Sequence, residues 1–139
     1  MKNFLIGFNA PQVDIGLLFL RIGGAFMLLH VHGWPKVVHY SYELTVIDDP
    51  LGLGAQFSLF AAIFAEVVCP VLITVGLLTR LACLPVLAVL LVSMFIVHPQ
   101  WSIAEGQFGW LLMVIFGAIA LCGPGKYGLA TAIGRKELA

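Results

Sequence analysis

Hydrophobic residues dominate four long stretches of the chain, separated by short polar or proline-glycine breaks. The first runs over residues 13–32 and the second over 55–78. The third covers 82–98 and the fourth 103–122. A helix rises about 1.5 Å per residue, so about 20 apolar residues cross the hydrocarbon of a bilayer. Each stretch therefore predicts a membrane-spanning helix. Between the first two, Val38, Tyr40, Tyr42, Leu44 and Val46 alternate with His39, Ser41, Glu43 and Thr45. That period of two predicts a short strand or hairpin lying on the membrane face. Gly33-Trp34-Pro35 is expected to end the first helix, and Gly123-Pro124-Gly125 the last. The expected fold is all-α: one integral-membrane domain, residues 1–139, built as a four-helix transmembrane bundle.

Composition agrees. Of 139 residues, 61% are hydrophobic and 10% charged, where a soluble domain carries roughly 25% charged residues. Zero net charge argues against a nucleic-acid partner. The apolar run FLIGF near the start is too short for a cleavable signal and no small-residue cleavage site follows it. Phe4, Leu5, Ile6 and Phe8 are expected on the membrane surface. Lys2, Arg80, Lys126, Arg135 and Lys136 fall on one side of a four-span topology, and only Lys36 on the other. Positive charge marks the cytoplasm, so both termini are expected inside, in a bacterial inner (cytoplasmic) membrane.

Ionisable residues inside the spans mark candidate chemistry, because an arginine at mid-depth costs roughly 2.5–3.5 kcal/mol on insertion scales. Arg21 lies inside the first span, and Ala25, Leu28 and His32 return to its face. Gly23, Gly24 and Ala25 beside it invite close approach of another helix. Glu66 lies inside the second span, four residues before Pro70, which cannot donate to the Glu66 carbonyl. Counted from the cytoplasmic ends, Arg21 and Glu66 differ in depth by about 6 Å, so a buried Arg21–Glu66 pair is expected. It serves equally as a ligand or proton-relay site or as a pin between two helices. His32, Lys36, His98, Trp101 and Glu105 gather at the outer face, with Arg80 at the inner turn. No HxxxH or HxxE spacing supports a metal site. Cys69, Cys83 and Cys122 show no CxxC spacing and read as small core residues.

In order and spacing, LRIGGAFMLLHVHGWPK, DPLGLG, AEVVCP, GLLTRLA, the histidine closing the third span and GPGKYG resemble the DoxX family of small four-helix membrane proteins. Arg21, Glu66, Arg80, His32 and Lys36 match recurrent positions of that family. Where the family continues towards an aspartate, this chain has Ala130. The resemblance implies a role in membrane oxidoreduction. Three functions stand. One is a redox subunit that binds quinone and relays protons through Arg21 and Glu66, taking electrons from an oxidoreductase partner or from substrate. Another is a non-enzymatic anchor that recruits a soluble oxidoreductase through the basic tail at 126–139, expected to form a short surface helix. The third is a transporter or lipid-binding protein for a small anion. All three are compatible with a homo-oligomer.

Overall fold

A computed structural model describes residues 10–137. The apolar start at Phe4, Leu5, Ile6 and Phe8, with Lys2, lies outside the described residues. Helix α1 runs through Ala10–Leu28, a π turn at Leu29–Gly33, and Trp34–Val38. Helix α2 is Tyr40–Val46. Helix α3 comprises Ala55–Ile63, a π turn at Phe64–Val68, and Cys69–Val75. Helix α4 comprises Thr79–Val92 and a π turn at Ser93–Val97. Helix α5 is Gln107–Cys122, and α6 is Leu129–Glu137. Three of these, at Pro11–Val38, Ala55–Val75 and Thr79–Val97, have the length and hydropathy to cross a membrane. The 16 residues of α5 rise about 24 Å, short of a full bilayer core of about 30 Å.

The three π turns share one cause. Each is five residues long and is followed by one residue and then a proline: Pro35, Pro70 and Pro99. A proline ring collides with the carbonyl four residues back and offers no N–H. Widening the preceding turn to the i→i+5 pattern moves that carbonyl away. The i→i+5 bonds run from Trp34, Cys69 and His98 N–H to the carbonyls of Leu29, Phe64 and Ser93. Thus Gly33-Trp34-Pro35 does not end the first helix as expected; the bulge carries it on to Val38.

The expected strand over Val38–Val46 is instead α2. No neighbouring strand is present among the described residues, so an extended segment would leave its backbone groups unpaired at the apolar interface. Turning into a helix pairs them locally, as in Glu43 N–H to His39 carbonyl and Ile47 N–H to Glu43 carbonyl. Helix α5 starts at Gln107 rather than 103, because Ser102 and Glu105 first close a turn of their own. Helix α3 stops at Gly76, whose φ of 79° is left-handed. The expected tail helix is present as α6.

The long helices pack in a closed ring: α1 on α3, α3 on α4, α4 on α5, and α5 back on α1. Leu28, Ile73, Val86, Phe116 and Ile119 fill the centre. Gly24 lets α5 approach α1, since a Cβ there would come to 2.7 Å from Ile115 Cγ2. The outward faces are as apolar as the inside, with Phe19 76%, Val114 69% and Leu121 82% exposed. Such surface calls for lipid rather than water.

Candidate functional site

Three of the four residues of the stripe read from the sequence face inward: Arg21, Ala25 and Leu28 are at most 2% exposed, whereas His32, in the π turn, is exposed. The partners differ from expectation. Arg21 Nη1 donates to the Pro124 carbonyl, and Nη2 donates to Thr74 at 3.2 Å and Tyr127 at 3.4 Å. These carbonyls lie at the end of α3 and in the segment after α5. Helix C-termini carry partial negative charge and unpaired carbonyls, so a guanidinium fits there without a carboxylate. Gly76 makes the room, because a Cβ there would lie 2.9 Å from Arg21 Nη1.

Glu66 is paired with Lys36: Nζ stands 2.7 Å from Oε2, with the side chains 18% and 10% exposed. Lys36 also donates to the His32 carbonyl at 3.1 Å. Apart from the ammonium contact, Oε2 has no partner among the described residues. The expected Arg21–Glu66 pair is therefore not formed. The end of α3 docks level with Arg21, and Glu66 lies about 12 Å of helix rise beyond Thr74. The first turns of α1 extend past α3, where Asp14 Oδ1 accepts the Lys126 N–H at 2.8 Å.

The first two π turns meet at Gly33, where a Cβ would overlap the Glu66 carbonyl. Around them the bundle opens. A cavity of about 720 Å³ extends from Gly24 and Ile115 to His32, Glu66, His98, Trp101 and Glu105. Val31, Phe108 and Leu111 border it and are themselves exposed on the outer faces of α1 and α5. A second cavity, of about 380 Å³, lies on the other side of Glu66 and is bordered by Lys36, Asp48, Ser58, Ser93 and His98. Four of the six site residues expected from the sequence thus meet at one cavity: His32, Glu66, His98 and Glu105. Arg21 and Arg80 do not. Arg80 Nη2 donates to the Leu121 carbonyl at 3.3 Å, at the far end of the bundle.

His98 and Trp101 stack with centroids 3.8 Å apart. Glu105 is tied into its turn: Oε2 accepts from the N–H and hydroxyl of Ser102, each at 2.8 Å, which holds its carboxyl below the usual range. His30 points elsewhere and stacks on Phe26. Among the described residues no three His, Cys, Asp or Glu side chains are close enough to hold a metal ion. Lys36 as the partner of Glu66 was the chief residue missed. Its signal was Pro35, which marks a bulge that carries Lys36 one more turn along the helix.

The sequence matches the DoxX family over residues 16–99, more than half of the chain. The chain belongs to the DoxX family. No curated protein and no solved structure matches it significantly. In this DoxX protein the matched region contains most of α1 and all of α2, α3 and α4, and hence Arg21, Lys36, Glu66 and His98. Helix α5, which forms one wall of the larger cavity, lies beyond it.

Proposed function

We propose that this DoxX protein is a four-span subunit of a membrane oxidoreductase, both termini inside, that binds a quinone in the 720 Å³ cavity. The observation that carries this reading is a buried carboxylate at an apolar cavity bordered by lipid-exposed Val31, Phe108 and Leu111. The volume lies within the range of about 300–1,000 Å³ usual for small-molecule sites. A lipid-side opening suits a ligand that arrives through the bilayer. Trp101 and His98 offer flat faces for a ring. Reducing a quinone adds two electrons and two protons. In this reading a partner oxidoreductase supplies the electrons, and Glu66, held by Lys36, hands protons to the ring oxygens.

The test is mass spectrometry of small molecules retained after mild purification, joined to turnover of Glu66→Gln with its electron-donating partner. Quinone retained by both proteins with turnover lost in the variant supports the reading. Phospholipid alone in the preparation, with full turnover of the variant, overturns it. The anchor reading draws on α6, which exposes Leu129 and Ile133 at the inner end and is tied there by Ala130 N–H to the Gly76 carbonyl. Under that reading, removal of 126–139 alone abolishes activity.

A further inference from the structure

We infer that the smaller cavity is a water-filled path through which Glu66 exchanges protons with the membrane face that bears the 39–54 connection. Two cavities meet at one carboxylate. Glu66, Ser93 and His98 border both, but the polar side chains differ. The smaller one adds Lys36, Asp48 and Ser58, and it reaches the connection at Asp48 and Pro50. Its 380 Å³ has room for several waters; most of its lining is apolar, and Lys36, Asp48, Ser58, Glu66, Ser93 and His98 are the groups that can bond them.

Charge favours this. An ammonium and a carboxylate within the hydrocarbon lose several kcal/mol of hydration each. The mutual contact and the Lys36 bond to the His32 carbonyl leave other lone pairs and N–H groups of the pair to be satisfied. Water in the adjoining cavity satisfies them and brings protons to the acid. The groups that face Glu66 are Lys36 and His32 from α1, His98 from α4, Asp48 from the connection, and Glu105 across the larger cavity.

In the opposite direction the larger cavity reaches only as far as Gly23 and Gly24. Between Glu66 and the Arg21 end lie Cys69, Ile73, Val86 and Phe116, all at most 1% exposed. Four apolar side chains at core density leave no polar partner for a water. Protons therefore reach Glu66 from one face only. What the protons are used for rests on the proposed quinone site; the path itself does not.

The experiment uses the full chain in sealed vesicles, with Cys69, Cys83 and Cys122 replaced. Single cysteines are introduced by Ser58→Cys and Ala61→Cys on the path, Val86→Cys in the plug, and Ser41→Cys as a marker of the face. A charged, membrane-impermeant thiol reagent should label Ser58→Cys and Ala61→Cys from the side that labels Ser41→Cys. Both should react at least about tenfold faster than Val86→Cys, because a thiol needs water to form the reactive thiolate. In parallel, dicyclohexylcarbodiimide, which attacks protonated carboxyls, should modify Glu66 and spare Glu66→Gln. With pH set separately on the two sides, modification should fall as pH rises on the Ser41 side and ignore the other. Path cysteines as inert as Val86→Cys, or modification that follows the opposite pH, would overturn the inference. Failure to retain quinone would remove the assignment of the larger cavity and leave both readouts in place.

Discussion

Lys36 Nζ lies 2.7 Å from Glu66 Oε2, and the two residues reach each other across the contact of two π turns. Removing one partner strands the other charge. We expect Lys36→Met to destabilise by about 3–5 kcal/mol, and Lys36→Met with Glu66→Gln by clearly less, since the double variant leaves no unpaired ion. Thermal unfolding in detergent measures both. Additive losses would show that the pair is not coupled.

Gly33 is the point of closest approach beneath that pair. A methyl group there meets backbone, which cannot swing aside. Gly33→Ala should cost about 1–3 kcal/mol through overpacking. Gly23→Ala, ten residues earlier on the same helix, meets nothing within 4 Å and should be neutral or slightly stabilising. Equal melting temperatures for the two variants would count against the packing of α1 on α3.

Arg21 separates structure from ligand binding. Arg21→Met leaves the Thr74, Pro124 and Tyr127 carbonyls without their donor, at about 1–3 kcal/mol for each that finds no other partner. It touches neither cavity. The expected result is a lower melting temperature with unchanged quinone retained per folded molecule. Normal melting with lost quinone would assign Arg21 to the ligand.

Asp49 governs the start of α3. Its carboxylate accepts from Gly54 N–H at 2.8 Å, Ser58 hydroxyl at 2.9 Å and Leu53 N–H at 3.0 Å. The Gly54 bond, then the Ser58 bond, holds its carboxyl below the ordinary range. The native state therefore takes up this proton less readily than the unfolded chain. Its stabilisation is full above the ordinary carboxylate pKa of about 3.9 and is lost as pH falls through the lowered native value. Asp49→Asn should flatten the melting-temperature profile in that acid range and leave its slope near neutrality unchanged.

Topology is read by labelling. In a cysteine-free background Ser41→Cys should react with an impermeant thiol reagent in intact cells, and Lys126→Cys only after lysis. The reverse would overturn the positive-inside orientation.

Sequence periodicity sufficed for the apolar helices, the inward stripe of Arg21, Ala25 and Leu28, and the clustering of His32, His98 and Glu105 at one end. These follow from the 3.6-residue repeat and from the cost of charge in lipid, both local to a segment. Family membership was legible too, through ordered motifs. The partner of Glu66 was decided by tertiary structure. Depth counted from helix ends assumes that helices start level, whereas α1 extends past the end of α3 and Arg21 takes carbonyls as its partners. The conversion of Val38–Val46 from strand to helix has the same origin, because an alternating pattern makes a strand only where another strand can pair with it. The prolines were visible throughout, but a proline alone does not say whether a helix breaks or widens. Packing on both sides of each bulge keeps the helix whole, and that packing places Lys36 beside Glu66.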